Sequence, residues 1–153
     1  MTDYLAVAKR AAMDASRIIL DARAPAHVQH KGRIDLVTEV DLASEAAIRR
    51  TLERATPAIP VFAEEGGGAE HVRTRWIVDP LDGTTNFVHG FPMYGVSIAL
   101  EMDGVLVVGV ISDPSRQRIY SAHIGHGAFC NDEEIVVSQT SSMDAALVAT
   151  GFP

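Results

Sequence analysis

Residues 76–92 read Trp-Ile-Val-Asp-Pro-Leu-Asp-Gly-Thr-Thr-Asn-Phe-Val-His-Gly-Phe-Pro, and the fold is best predicted outward from this stretch. Its first three residues favour a β-strand that ends at Asp79, because Pro80 has no backbone N–H to donate to a neighbouring strand. Asp82 follows in a turn, and the Gly and Thr after it have the composition of a turn that opens a helix. A helix start presents unpaired backbone N–H groups, which favour phosphate.

Two carboxylates three residues apart favour a hard cation at this turn. Oxygen ligands from Asp79 and Asp82, with the Leu81 carbonyl that the turn exposes, suit Mg²⁺. This ion keeps several waters and shares its shell with the phosphate oxygens of a substrate. An ordinary Asp-Gly turn with solvated acids is the alternative interpretation.

The stretch at residues 76–87 resembles the signature of the inositol monophosphatase family of metal-dependent sugar-phosphate phosphatases. Five further segments follow the order of the family motifs, and these are residues 35–41, 62–65, 110–114, 125–131 and 149–153. One departure is Ala63, which stands where the family commonly has Gly or Thr. Ordered motifs over nearly the whole chain make the match specific.

The resemblance implies a role for each of a small set of residues. The implied metal ligands are Glu64, Asp79, the Leu81 carbonyl and Asp82. The implied phosphate-binding turn consists of Leu81, Asp82, Gly83 and Thr84. The implied catalytic residues, which orient or deprotonate the attacking water, are Glu64, Thr84 and Asp41. Asp41 also suits plain helix capping, because an acid is favoured in the first turn of a helix.

The implied activity is Mg²⁺-dependent hydrolysis of a small sugar or polyol phosphate by a metal-activated water. Inositol 1-phosphate is the first expected substrate; fructose 1,6-bisphosphate, histidinol phosphate and 3′-phosphoadenosine 5′-phosphate are alternatives. A complete site is expected to hold roughly two or three Mg²⁺ ions, with Mn²⁺ as a substitute.

Family members continue beyond the point where this chain stops. Their second half supplies a further metal-ligand Asp in a Trp-Asp segment, whereas the one Trp here is Trp76. We therefore expect residues 1–153 to form an N-terminal α+β metal-binding domain with an incomplete second metal site. A truncated, weak or inactive module that binds metal or dimerises is the alternative.

A haloacid-dehalogenase-like phosphatase is the competing family at the level of the motif. Its nucleophile lies in an Asp-x-Asp-Gly loop, but Asp79 and Asp82 are three positions apart here. The intervening Pro80-Leu81 breaks the geometry that covalent catalysis through Asp79 needs.

His123 and His126 have a spacing typical of metal ligands. They lie on a Gly-rich turn, which offers no helix face on which two imidazoles converge. The sequence therefore favours a loop over a zinc site.

Length and composition indicate one small enzyme-sized core. The chain has 153 residues, of which 47% are hydrophobic, and a single Cys rules out an internal disulfide framework. The net charge is −7 and the 13 Lys and Arg are scattered, so no nucleic-acid partner is expected. The apolar run at residues 105–111 is too short to span a bilayer and the first residues do not resemble a signal peptide. We expect no membrane partner and a cytoplasmic location.

The fold class predicted from periodicity is α+β, with two N-terminal helices packed on a mostly antiparallel sheet. Apolar spacings of three and four predict a helix over residues 5–22 and a second helix opening at a capping box at residues 38–41. Strands are predicted at residues 59–63, 76–79, 95–101, 105–112, 117–122, 135–137 and 147–149. The last strand leaves an uncovered C-terminal edge, so we expect a homodimer or another association through it.

Overall fold

The structure is a computed structural model, and it describes residues 2–22, 28–30, 36–68 and 70–149. The helices are α1 (Tyr4–Asp21), α2 (Glu39–Ala55) and α3 (Thr84–Val88), and a 3₁₀ turn lies at Met143–Ala145. The strands are β1 (Val28–His30), β2 (Leu36–Thr38), β3 (Val61–Ala63), β4 (Gly67–Gly68), β5 (Arg75–Asp82), β6 (Gly95–Met102), β7 (Val105–Asp113), β8 (Arg118–His123), β9 (Ala128–Cys130) and β10 (Glu133–Ile135).

Helix α1 begins at a side-chain cap and buries a face of small residues. The Asp3 carboxylate accepts a hydrogen bond from the Ala6 N–H at 3.0 Å, which satisfies one of the free donors at the helix start. The buried side of α1 consists of Ala8, Ala11, Ala12, Ala15, Ser16 and Ile19. Because alanine side chains are short, this face lets the helix lie close to the sheet. The helix predicted over residues 5–22 is confirmed.

Helix α2 begins at the predicted capping box. The Thr38 side chain accepts hydrogen bonds from the N–H groups of Val40 and Asp41, and the Asp41 carboxylate accepts one from the Thr38 N–H. Two donors are thus satisfied reciprocally. The helix ends at Ala55, where the Thr56 N–H bonds back to the Leu52 carbonyl.

Eight of the strands form one sheet in the order β10-β9-β8-β7-β6-β5-β3-β4, and the remaining two, β1 and β2, pair with each other. All neighbours are antiparallel except β3 and β5, which are parallel. Strands β6 and β7 are joined by Asp103 and Gly104, both at positive φ, as a tight hairpin requires. The predicted α+β class with a mostly antiparallel sheet is confirmed.

The core lies between one face of this sheet and the two long helices. Trp76 on β5 is fully buried, and its indole N–H donates to the Thr56 hydroxyl at 2.9 Å. Around it pack alternate residues of β6 and β7, namely Val96, Ile98, Leu100, Val108 and Val110. Within the described residues no helix covers the opposite sheet face, where the Ile111 side chain is exposed.

The C-terminal part differs from the prediction. Residues 147–149 are irregular rather than a strand, and β10 ends at Ile135. The prediction failed because apolar residues occur here without any packing partner that would select a strand. Apolar side chains are instead exposed along this segment, and these are Val136, Val137, Met143, Leu147 and Val148. Asp35 of the motif at residues 35–41, and residues 150–153 of the last motif, lie outside the described residues.

No helix in the described part of the chain has the length and apolar character needed to cross a membrane. The longest, α1, has 18 residues.

Candidate metal and phosphate site

Strand β5 contains a bulge where the sequence predicts its end. Asp79 pairs with Ser97 on β6 and Asp82 with Gly95, so two residues of β5 oppose a single residue of β6. Pro80 does not terminate the strand, because a bulge tolerates a residue without an N–H donor.

This bulge brings the two aspartates to one side of the sheet. In a regular strand, residues three apart point to opposite faces, and the extra residue cancels that alternation. Pro80 and Leu81 are both buried, whereas Asp79 is half-buried and Asp82 is exposed.

Glu64 joins the aspartates because β3 and β5 run parallel and end together. Ala63 lies opposite Val78, and the Glu64 N–H donates to the Val78 carbonyl at 3.1 Å. Glu64 is therefore next to Asp79 across the sheet. The predicted ligand carboxylates Glu64, Asp79 and Asp82 are brought together.

The crowding of three carboxylates perturbs Asp79. Burial, followed by the negative charges of Glu64 and Asp82, raises the pKa of Asp79 from 3.8 to about 7. A hydrogen bond at 3.1 Å from the Leu81 N–H to Asp79 Oδ1 opposes this rise. A bound cation would relieve the repulsion between these carboxylates.

An all-oxygen donor set of this kind fits Mg²⁺ better than a softer metal. In the part of the chain that the structure describes, no group of three or more acidic, His or Cys side chains is arranged to hold a metal ion, so Glu64, Asp79 and Asp82 are an open, incomplete donor set. Mg²⁺ accommodates such an open set because it retains several waters and takes oxygens from a phosphate.

Asp41 links the start of α2 to the start of α3. Its carboxylate is almost completely buried; Oδ2 accepts from the Thr38 N–H at 2.9 Å and from the Thr38 hydroxyl. Its other oxygen, Oδ1, accepts from the Thr84 hydroxyl at 2.9 Å. Asp41 therefore caps α2 and contacts Thr84 at the same time, so the two interpretations of this residue are compatible.

The Thr84 hydroxyl has two acceptors for its one proton. It lies 2.9 Å from Asp41 Oδ1 and 2.9 Å from the Leu81 carbonyl oxygen. Donation to either acceptor leaves the lone pairs of the hydroxyl free to accept a hydrogen bond from a nearby group.

Gly83 makes the tight turn between β5 and α3. Its φ of 83° is left-handed, and a Cβ there would lie 2.9 Å from the Met93 carbonyl oxygen. Glycine is the residue that accepts this conformation and close approach. The predicted helix-opening turn after Asp82 is confirmed, although α3 has just five residues.

Two residues that support the site were missed from the sequence. The Ser44 hydroxyl donates to the Pro80 carbonyl at 2.7 Å, which ties the bulge to α2. Glu45 is buried, and its Oε2 accepts hydrogen bonds from the N–H groups of Glu65 and Gly66. The signal available was position: both follow Asp41 within about one helical turn.

His123 and His126 lie outside this carboxylate cluster, on the Gly-rich turn that the sequence predicts. Their rings are stacked, with centroids 4.8 Å apart and an interplanar angle of 16°. A turn is thus able to bring two imidazoles together without a helix face.

Known proteins match this chain in sequence. The model of the inositol monophosphatase family matches residues 1–153. A protein of Pseudomonas aeruginosa named Nus factor SuhB is 40% identical over 163 aligned positions, which cover 100% of this chain. Inositol monophosphatase 2 of Solanum lycopersicum is 43% identical and the match covers 98% of this chain. The chain spans 59% of the length of each of these relatives.

Solved structures match it in fold. An inositol monophosphatase of Thermotoga maritima superposes with a TM-score of 0.86 at 33% identity, covering 92% of this chain and 56% of that one. A structure described as an IMPase/NADP phosphatase complexed with Mg²⁺ and phosphate superposes with a TM-score of 0.69 at 28% identity. The match covers 82% of this chain and 48% of that one. The sequence-based recognition is confirmed: this chain belongs to the inositol monophosphatase family.

Proposed function

We propose that this chain carries the Mg²⁺-binding and water-activating half of a phosphatase that hydrolyses a small polyol phosphate, with inositol 1-phosphate as the first candidate. The observation that carries the proposal is the convergence of Glu64, Asp79 and Asp82 beside the Thr84–Asp41 hydrogen bond. Family membership supports a phosphatase, and a solved relative that holds Mg²⁺ and phosphate supports metal dependence.

In this proposal the metal ligands are Glu64, Asp79, the Leu81 carbonyl and Asp82. When bound, Mg²⁺ supplies a Lewis acid that lowers the pKa of water and neutralises phosphoryl charge. A complete site would take roughly two or three ions, and Mn²⁺ would substitute.

Thr84 and Asp41 form the proposed proton path. The Thr84 hydroxyl accepts the proton of the attacking water as it donates its own to Asp41 Oδ1, 2.9 Å away. Glu64 helps to orient the same water. The water oxygen forms the new bond to phosphorus, the ester P–O bond breaks, and the departing alkoxide takes a proton from solvent water and leaves as the alcohol.

The turn after β5 is the proposed seat of the phosphate. Its residues are Leu81, Asp82, Gly83 and Thr84, and the left-handed Gly83 lets the backbone approach a ligand without a side chain between them. The proposed compartment is the cytoplasm, as the sequence predicts.

Phosphate release tests the proposal. The assay uses inositol 1-phosphate with Mg²⁺, on the 153-residue chain and on a protein extended to the length of its relatives. We expect Mg²⁺-dependent release from the longer protein that is abolished by chelator. Metal-independent release, or none from any of inositol 1-phosphate, fructose 1,6-bisphosphate, histidinol phosphate and 3′-phosphoadenosine 5′-phosphate, would contradict the proposal.

A metal-binding or dimerising module without turnover is the second candidate. It rests on the carboxylates of Glu64, Asp79 and Asp82, which this chain brings together whether or not turnover follows. Mg²⁺ binding by the 153-residue chain without any phosphate release would support this candidate for the chain alone.

A further inference from the structure

The turn between β8 and β9 holds two histidines in a fixed relationship. The His126 N–H donates to the His123 carbonyl at 2.9 Å, which closes a four-residue turn. Gly125, the third residue of that turn, has a φ of 78°, the value that a type II turn needs at this position. The Ile124 N–H donates to the Val107 carbonyl at 2.9 Å, so the turn is also tied to β7.

The first and last residues of such a turn have neighbouring side chains. His123 and His126 occupy these two positions, and their exposed rings are stacked with centroids 4.8 Å apart. The stacking follows from the turn type, and therefore from Gly125, rather than from packing against the core.

We propose that His123 and His126 form a surface site for a borderline divalent transition metal, of which Zn²⁺ is the test case. Zinc holds each imidazole nitrogen at about 2.0–2.1 Å, so two ligand nitrogens on one ion lie within about 4 Å of each other. The stacked rings are close enough to reach one ion, but their nitrogen lone pairs run nearly parallel in this pose. Rotation about the exposed side-chain torsions turns one nitrogen of each ring towards a shared metal. Water completes the coordination.

The charge around the turn favours a cation. A Glu134 carboxylate oxygen lies 3.5 Å from the position that a Cβ on Gly127 would occupy, so a negative charge is close to the turn. The chain as a whole has a net charge of −7. A cation is therefore attracted to this surface.

The site differs chemically from the carboxylate cluster on β5. Imidazole nitrogens suit Zn²⁺, Cu²⁺ and Ni²⁺, whereas carboxylate and carbonyl oxygens suit Mg²⁺. An excess of Mg²⁺ is therefore able to occupy the carboxylates while leaving the imidazoles free.

Calorimetric titration of the tag-free 153-residue protein with Zn²⁺, in excess Mg²⁺, tests the proposal. The variants are His123→Asn and His126→Asn, and the matched control is His71→Asn, an exposed histidine on another loop. We expect each turn variant to weaken zinc affinity by at least about tenfold and the control to leave it unchanged. Wild-type affinity in either turn variant, or an equal loss in the control, overturns the proposal.

Gly125→Ala tests the turn without touching a ligand. No atom lies within 4 Å of the new Cβ, so the effect of the change acts through the left-handed φ. We expect weaker zinc binding with both imidazoles present. Wild-type affinity would show that the turn does not build the site. Cu²⁺ bound to the wild type should show nitrogen couplings from two imidazoles by electron paramagnetic resonance, and coupling to one or none contradicts the assignment.

Discussion

The buried carboxylate of Glu45 accepts a hydrogen bond from the Gly66 N–H at 3.0 Å, and a Cβ on Gly66 would lie 2.4 Å from the same carboxylate. Helix α2 thus holds the loop that follows Glu64. Arg49 completes the link, because it pairs with Glu45 at 2.6 Å and donates to the Gly67 carbonyl at 2.7 Å.

Loss of the Glu45 carboxylate should loosen this loop. Glu45→Ala removes two backbone hydrogen bonds and the partner of a part-buried Arg49, and we expect the free energy of unfolding to fall by about 1–3 kcal/mol. Urea unfolding measures the change. Glu53→Ala, an exposed position on the same helix, is the control and should change stability by no more than about 0.5 kcal/mol.

Gly66→Ala should also lower the free energy of unfolding, because the added methyl group displaces the Glu45 carboxylate. Gly109→Ala meets no atom within 4 Å and is the matched control. Equal stability of the Gly66 and Gly109 variants would show that the link to Glu45 is unimportant.

The raised pKa of Asp79 makes metal-free stability depend on pH. In the folded chain the Asp79 carboxyl keeps its proton up to about pH 7, because its pKa is raised to about 7. In the unfolded chain the same carboxyl has a pKa of 3.8 and has lost its proton well below pH 7. The stability linked to this group is therefore complete below about pH 4 and is lost as pH rises to 7. An asparagine at position 79 does not ionise, so the Asp79→Asn variant does not lose this stability as pH rises. The free energy of unfolding of the variant, relative to that of the wild type, should therefore increase from about pH 4 to about pH 7. Urea unfolding in chelator measures it, and a constant difference at all pH values would contradict the assignment.

Thr84 and Asp41 should act as one catalytic unit in the longer protein. Thr84→Ala should slow hydrolysis by about 10² to 10⁴ and leave the carboxylates in place, and Thr84→Ser should restore most of the rate. Thr85→Ala, on the exposed neighbouring residue, is the control. The double variant Asp41→Asn/Thr84→Ala should raise the activation free energy of hydrolysis by much less than the sum of the two single variants. Full turnover of Thr84→Ala with normal folding rules out the role.

The exposed apolar segment after β10 should promote association of the 153-residue chain. Val136, Val137 and Leu147 are almost fully exposed, and contiguous apolar surface of this kind favours self-association. Changing all three to Ser should shift the mass measured by light scattering towards the monomer. A wild-type chain that stays monomeric at high concentration would contradict the prediction.

The family, the fold class and the convergence of Glu64 with Asp79 were predictable, because strand ends and motif order are local signals. The bulge in β5 was not predictable, because a proline such as Pro80 is found both at strand ends and at bulges. Which of the two forms depends on how β5 pairs with β6, a contact that the local sequence does not encode. The role of Glu45 depends on contacts with residues twenty or more positions away, which sequence spacing does not encode. The failed strand at residues 147–149 shows the reverse case, an apolar pattern without a packing partner.

Mg²⁺ binding measured by calorimetry on the wild-type chain and on its Asp79→Asn and Asp82→Asn variants tests the central claim most directly. The bulge places both carboxylates on one side of β5, so each substitution should remove most of the binding. Asp144→Asn, in the exposed 3₁₀ turn, should bind as the wild type does. Unchanged Mg²⁺ affinity in the Asp82→Asn protein would contradict the assignment of the metal site.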